Sequence, residues 1–222
     1  MRLITALLQR RALRPIALVV LLLASGQSGA ADVPDDFYRA EFVILERIVD
    51  PAGIAEQMAG REVPATPDTS ETLMAVSQDG QARSTLKLVP ANELSLNAAA
   101  QRLEASGRYR VLMRAGWYQA FPPDYQGAPL RVSVGPWLDG LNQRAVEGTI
   151  TIDRKRYLHV DVNLNHWTVD DAPSLSDGIY QAPQRKLVTW IHENRRMRSE
   201  EIHFLDSPTI GVLIFFKKVG ED

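Results

Sequence analysis

Polar and apolar side chains alternate along residues 146–167, VEGTITIDRKRYLHVDVNLNHW. In a strand, successive side chains point to opposite faces, so this pattern predicts a hairpin, turning at 153–156, with one apolar and one polar face. Amides and carboxylates donate or accept hydrogen bonds in fixed directions, which is the chemistry that recognises sugar hydroxyls. A merely solvated sheet face has the same pattern. The polar set is Thr149, Thr151, His159, Asp161, Asn163 and Asn165. From it we select Asp161, Asn163 and Asn165 as candidate ligand-binding residues.

Three arginines cluster in the segment ENRRMRSEEIHFLDSP, residues 193–208. The planar fork of a guanidinium matches a carboxylate, so such a cluster can hold the acidic groups of a peptide. Strand alternation places Arg196 and Arg198 on one face and Arg195 on the other. We therefore predict that Arg196 and Arg198 bind carboxylates. Ion pairs with Glu193, Glu200 or Glu201 are the structural alternative.

Tryptophan is the side chain best suited to stacking on a sugar ring, and the chain has four of them. An indole in a small domain more often packs in the core, so each must be judged by its neighbours. Trp167 ends the polar strand of the predicted hairpin, and Trp117 stands beside Tyr118 and Gln119. These two indoles are the candidates for ring contact.

The sequence carries no recognisable catalytic or metal-binding motif. Its four histidines are scattered, without the helical spacing of a zinc site. Adjacent carboxylates such as Glu200 and Glu201 would point to opposite faces of a strand, and neither a nucleophile elbow nor a phosphate-binding glycine loop is present. We therefore predict a non-enzymatic protein without a metal or cofactor.

The elements that must position these residues are mostly strands. Alternation in FYRAEFVILERI puts Tyr38, Ala40, Phe42 and Ile44 on one face, and YRVLMRAGWYQ puts Tyr109, Val111 and Met113 on one face. Further strands are predicted at 129–134, 187–198 and 211–219. Residues 95–107 predict a helix that is capped by Ser95 and closed by Gly107. The predicted fold class is α+β: a single mixed, mainly antiparallel β-sheet with one main helix packed on one face.

Residues 50–90 break this regularity. They contain several prolines and glycines and many small polar residues, with no sustained apolar period. The composition predicts a long irregular arm within a single domain, 31–222. Such an arm is either plain surface or a docking element for a partner.

The N-terminus has the three regions of a secretory signal. Arg2, Arg10, Arg11 and Arg14 precede the apolar stretch 16–24, and small residues follow to 31. The stretch is well short of the roughly 20 residues that cross a membrane. We predict a signal peptide over 1–30, cut after Ala30, and no permanent membrane span in the mature protein.

Composition excludes several classes of protein. The chain has no cysteine, so it forms no disulfide, carries no cysteine-linked lipid and performs no thiolate chemistry. Loss of the four leader arginines leaves 21 basic residues against 27 acidic ones. Because nucleic-acid binding requires a strongly basic face, this acidic balance argues against a nucleic-acid partner.

The order of four blocks resembles the CsiV family of periplasmic peptidoglycan-binding proteins. The blocks are FYRAEFVILER, YRVLMRAGWYQ, EGTITIDRKRYLHVDVNL and ENRRMRSEEIHFLDSPTIGVLI. The last is the most specific, because its arginines around Met197 and the run from Ile202 to Gly211 are not those of a generic strand. Residues 50–90 have no counterpart among the blocks.

The resemblance implies a non-catalytic role in the Gram-negative periplasm, with peptidoglycan as the partner and a function in cell-wall assembly and cell shape. An adaptor that docks a cell-wall synthase or its activator through the acidic arm is the rival hypothesis. A wall hydrolase of unfamiliar type ranks third. The resemblance itself assigns no ligand-contacting residues.

Overall fold

A computed structural model describes residues 36–50, 54, 61–64, 66–170 and 182–220. All of them belong to one compact unit, Val33–Asp222. The predicted signal peptide and its cleavage site lie outside the described residues, as do 51–53, 55–60 and 65 of the predicted arm. Among the residues that are described, none belongs to a helix long and apolar enough to span a membrane.

The described part of the chain is mainly β-structure, with one α-helix, α1 (Asn97–Ala105), and a short 3-10 turn at Ala91–Glu93. The strands are β1 (Phe37–Arg47), β2 (Thr72–Val76), β3 (Ala82–Arg83), β4 (Tyr109–Ala120), β5 (Leu130–Leu138), β6 (Gln143–Arg154), β7 (Leu158–Asp170), β8 (Gln184–Arg196), β9 (His203–Asp206) and β10 (Ile210–Lys218).

These strands form two sheets, so the prediction of a single sheet is wrong. One sheet has four antiparallel strands in the order β4-β1-β10-β9, and the other has six in the order β3-β2-β5-β6-β7-β8. All pairs of the six-stranded sheet are antiparallel except β2 with β5. Alternation in the sequence reveals that a strand has one buried face, but not whether a helix or a second sheet buries it.

The main hydrophobic core lies between the two sheets. The predicted apolar face of β1 is there, with Phe42 and Ile44 fully buried, and so is the predicted apolar face of the β6–β7 hairpin. Full burial of one such side chain stabilises the fold by about 1.5–3 kcal/mol. The predictions of which side chains of β1 and of the hairpin point into the core are therefore confirmed. The hairpin residues in this core are Ile150, Ile152, Leu158, Val160, Val162 and Leu164.

Helix α1 packs on the outer face of the four-stranded sheet, where Leu96 and Ala100 meet Val43 and Leu45. Its predicted cap is wrong: the helix begins after Leu96, and no side chain of its own caps it. The Leu96 amide donates instead to Oε2 of Glu41 on β1, at 2.9 Å. A distant carboxylate thus satisfies the helix N-terminus, a partner that local sequence does not reveal.

The sequence neighbours of this helix have separate roles. Ser95, the predicted cap, accepts a hydrogen bond from Nη2 of Arg39 at 2.6 Å. Gly107 follows the helix with φ +70, the left-handed conformation that the prediction required of it.

An irregularity in β4 changes which way its side chains point. The pairing of β4 with β1 shifts register between Ile44 and Leu45, so that Leu112 is an extra residue in β4. Tyr109 and Val111 therefore pack on the helix side, while Met113 packs in the main core. The prediction that these three share one face is wrong because of this bulge.

The predicted arm does not remain irregular over its whole length. Residues 72–76 form β2, which pairs in parallel with β5, and Leu73 is fully buried. Leu88 then bridges to Trp117 on β4, and the Val89 amide donates to the Gly116 carbonyl at 2.8 Å. The second half of the 50–90 region is therefore part of the sandwich, and the prediction is wrong there. The strands involved are too short for their alternation to stand out among the polar residues.

Candidate functional site

The outer face of the six-stranded sheet carries the predicted polar side chains, and we call its β6–β7–β8 part the open face. Residues that are paired across these strands point the same way, so the register places them in four rows. The rows are Asp153–His159–Arg196, Thr151–Asp161–Asn194, Thr149–Asn163–His192 and Glu147–Asn165–Trp190. Asp161, Asn163, Asn165 and Arg196 thus share one sheet face.

A stretch without regular secondary structure, the described residues of 61–69, crosses part of the open face, and we call it the crossing segment. Val63 packs in an apolar cluster with Trp167 and Leu187. Further along, Pro64, Thr66 and Pro67 enclose a cavity of about 160 Å³ together with Thr149, Asn163, Asn165 and His192. The rows that contain Asp161 and Arg196 lie beyond this cover.

Asp161 is the centre of the uncovered part of the open face. Its Oδ1 accepts a hydrogen bond from Nδ2 of Asn163, and its Oδ2 accepts one from Nδ2 of Asn194 at 3.4 Å. The carboxylate thereby orients two amides on neighbouring strands. Asp161 is half-buried and Asn194 is exposed, so these two side chains can meet a ligand from solvent. Asn163 is also half-buried, but it lines the cavity beneath the crossing segment and therefore stands at the edge of the accessible group.

Asn165 does not belong to that accessible group, and its predicted role at the surface is wrong. Its side chain is only 5% exposed, and its Oδ1 contacts Nε2 of His192 at 3.1 Å. The His192 ring stacks on Trp190 with centroids 4.5 Å apart. Burial lowers the pKa of His192, an effect that the charge of Asp161 opposes, and the lowered pKa favours the neutral ring near pH 7.

Neither tryptophan that was predicted to stack on sugar presents an open ring. Trp117 is 2% exposed, stacks on Phe42 in the main core and donates from Nε1 to Oε1 of Gln119 at 2.8 Å. Trp167 is 7% exposed, and the guanidinium of Arg185 covers its ring at 4.4 Å. The prediction of exposed indoles is wrong, because both rings gain more by packing.

The two predicted carboxylate-binding arginines stand at one end of the sandwich. Arg196 is the exposed last residue of β8, and its guanidinium lies 4.8 Å from the centroid of the Tyr157 ring. Arg198 follows the strand, so strand alternation does not orient it. It forms an exposed ion pair with Glu201 at 3.4 Å, as the structural alternative expected.

A cleft of about 380 Å³ opens beside these arginines, and we call it the arginine cleft. Sequence reasoning selected Arg198 but missed Arg154, Arg156 and Tyr157, which line the same cleft. The sequence feature that could have revealed these residues is the basic run DRKRY at 153–157, which the hairpin prediction treated only as a turn.

Within the described ranges, no group of three or more histidine, aspartate or glutamate side chains could hold a metal ion. The fold and the site together define a β-sandwich domain with one helix-covered face and one polar face that the described residues cover only in part. This arrangement suits the binding of a polar ligand.

A family model described as "Peptidoglycan-binding protein, CsiV" matches residues 16–219, so the chain belongs to the CsiV family. The four blocks that carry the resemblance all fall inside the matched range, and the family is described as binding proteins rather than as enzymes. No curated protein and no solved structure matches the chain significantly.

Proposed function

We propose that this chain is a non-enzymatic peptidoglycan-binding protein of the periplasm, that it supports cell-wall assembly and cell shape, and that the open face contacts the polymer. One observation carries the choice of surface: Asp161 orients the amides of Asn163 and Asn194 on a face that ends at Arg196. The family description supports the ligand.

The chemistry of this face suits a sugar polymer. Hydroxyl and acetamido groups of the glycan can exchange hydrogen bonds with fixed amides and with the Asp161 carboxylate. A neutral hydrogen bond contributes about 0.5–1.5 kcal/mol and a charged one about 1.5–3 kcal/mol, whereas micromolar affinity requires about 8 kcal/mol. Several contacts must therefore act together, and a repeating polymer supplies them side by side.

Co-sedimentation with purified sacculi tests the proposal. The wild-type protein is expected in the pellet at low salt, and the double variant Asn163→Ala, Asn194→Ala is expected to bind about tenfold more weakly, since two amides are lost. The matched control is Gln81→Ala with Gln101→Ala, which removes two exposed amides elsewhere on the protein.

The control variant is expected to sediment like the wild type. A wild-type protein that stays in the supernatant would refute peptidoglycan binding. If the wild type and the Asn163, Asn194 variant sediment equally, peptidoglycan is bound by another surface.

The rival adaptor hypothesis assigns docking to the acidic arm, from Asp50 to Val89, together with an exposed sheet edge. Residues 72–83 instead supply β2 and β3, and 61–69 cross the open face. Deleting the whole region would therefore damage the sandwich, so it cannot separate docking from folding. We favour direct binding by the open face for this reason.

A further inference from the structure

The arginine cleft has a composition that differs from the rest of the surface. It lies where the β6–β7 turn meets the residues that follow β8. Among the described residues that line it, three are arginines and none is acidic, although the chain as a whole has a net charge of −2. Arg154 is paired with Asp36 and Arg198 with Glu201, so Arg156 is the lining arginine whose charge remains available to attract an anion.

One wall of the cleft is rigid. Nη1 of Arg154 lies 2.8 Å from Oδ1 of Asp36, 3.2 Å from the Tyr38 hydroxyl and 3.0 Å from the Phe121 carbonyl oxygen. Because all three contacts use the same nitrogen and the side chain is only 18% exposed, this guanidinium is held in place before any ligand arrives. A fixed donor loses less conformational entropy on binding.

Two further cations stand at one side of the cleft: Arg156 lines it, whereas Arg196 lies outside its lining and adjoins it through the ring of Tyr157. The guanidinium of Arg156 lies 5.5 Å from the centroid of the Tyr157 ring, and that of Arg196 lies 4.8 Å from it. Within the described part of the chain, neither arginine forms an ion pair with a carboxylate. Two unneutralised cations therefore share one exposed ring, and an anion between them would relieve their repulsion.

The size and donors of the cleft define the class of ligand. Its volume of about 380 Å³ lies within the range of about 300–1,000 Å³ for small-molecule sites. Guanidinium forks bind carboxylates in a bidentate manner. In intact peptidoglycan the free carboxylates belong to the stem peptide, because the acid group of the muramic sugar is used in the amide bond to that peptide.

We infer that the arginine cleft binds carboxylates of the peptidoglycan stem peptide, with Arg156 and Arg196 as the principal contacts. This inference rests on the proposed function and divides it between two surfaces: the open face contacts sugar, and the adjoining cleft contacts peptide. Arg198 contributes less, since Glu201 already shares its charge.

Titration calorimetry with a purified disaccharide-tetrapeptide tests the inference. The matched ligand is the same molecule with its carboxyl groups converted to carboxamides. The wild-type protein is expected to bind the carboxylate form at least about tenfold more tightly, because charged hydrogen bonds are lost from the other.

Two charge-matched variants complete the experiment. Arg156→Gln with Arg196→Gln is expected to weaken binding of the carboxylate form about tenfold and to bind both ligands alike. Arg102→Gln with Arg108→Gln removes the same charge from exposed positions at and after helix α1, and it is expected to bind like the wild type.

The outcomes separate this inference from the proposed function. Equal binding of the two ligands by the wild type, or wild-type affinity in the Arg156, Arg196 variant, overturns the inference even if sacculi are bound. Carboxylate-dependent binding of the disaccharide-tetrapeptide without sedimentation by sacculi supports the cleft and refutes the proposed function. Binding of neither ligand nor sacculi refutes both.

Discussion

The two outer faces of the sandwich differ in how much of each is covered by other parts of the chain. On the four-stranded sheet, helix α1 covers an apolar cluster that includes Val43, Leu45 and Leu213. On the six-stranded sheet, the corresponding layer within the described ranges is the crossing segment, and Asn194 and Arg196, in the rows beyond it, are exposed.

Polar groups on the two faces therefore have different partners. Glu41, under the helix, is 0% exposed and is matched by Nε of Arg39 at 2.7 Å and by the Leu96 amide. Asp161, on the open face, is matched by the exposed amide of Asn194 and the half-buried amide of Asn163. A carboxylate enclosed by protein contributes to folding, whereas one that orients accessible amides can contribute to binding.

The largest effect is expected from removing the enclosed carboxylate. Glu41→Ala leaves Arg39 without its carboxylate partner, although Arg39 keeps its hydrogen bond to Ser95, and it leaves the first turn of α1 without an acceptor. Loss of one partner of a buried ion pair costs about 3–5 kcal/mol. Arg39 is 15% exposed, so we expect the lower end of that range. Urea denaturation measures the change in the free energy of unfolding.

Glu46→Gln is the matched control, because its partner Arg110 is 59% exposed and such surface pairs contribute about 0–1 kcal/mol. Molecules of Glu41→Ala that remain folded are expected to bind sacculi normally. If Glu41→Ala costs no more than Glu46→Gln, the helix-covered face is not held together by this carboxylate.

Acid is expected to lower the free energy of unfolding through a buried histidine in the core between the two sheets. His166 points into that core, where its Nδ1 lies 2.8 Å from Oγ1 of Thr209, and burial lowers its pKa to about 4. The unfolded chain, with a histidine pKa of about 6.5, binds the proton more readily between these values. This contribution to stability is therefore complete above pH 6.5, falls as the pH drops towards 4, and amounts to about 3 kcal/mol.

Urea denaturation at pH 7.5 and pH 4.5 measures this loss, and His166→Gln isolates it from other titrating groups. The variant is expected to be less sensitive to acid than the wild type over this interval, whatever its stability at pH 7.5. An identical pH dependence in the two proteins would show that His166 does not titrate with the lowered pKa.

Sequence reasoning was successful where the decisive interactions are local. The facing of β1 and of the β6–β7 hairpin follows from alternation, because the same core buries every second residue. It failed where the local conformation depends on residues that are distant in the sequence. The Glu41 acceptor is 55 residues from the Leu96 amide, and the Leu112 bulge reverses part of β4.

The same dependence on distant residues explains which features of the candidate site could be predicted. Asp161, Asn163 and Arg196 share one sheet face because they alternate along strands that pair directly. Asn165 satisfies the same alternation, but the crossing segment and His192 enclose it. Nothing in the spacing of Pro64 and Pro67 indicates that they lie over Asn165. Composition predicted an irregular segment and could not predict where it would pack.

The smallest loss of stability is expected from a substitution in the crossing segment. This substitution tests whether the segment can detach from the open face without unfolding of the sandwich. Val63 is half-buried against Trp167 and Leu187, so Val63→Ser is expected to cost about 1 kcal/mol, a fraction of full burial. Trypsin cleavage after Arg61 should accelerate, since local release costs less than global unfolding. Val49→Ser, at a position that is 42% exposed, is the matched control and should change neither quantity.

Sacculus binding should survive in Val63→Ser, because the rows of Asp161 and Arg196 lie outside the cover. A loss of stability as large as that of Glu41→Ala would mean that the crossing segment is as integral to its face as α1 is to the other. The contrast between a sealed face and an open one would then fail. Faster trypsin cleavage with unchanged sacculus binding would instead show that the crossing segment can detach while the open face still binds its ligand.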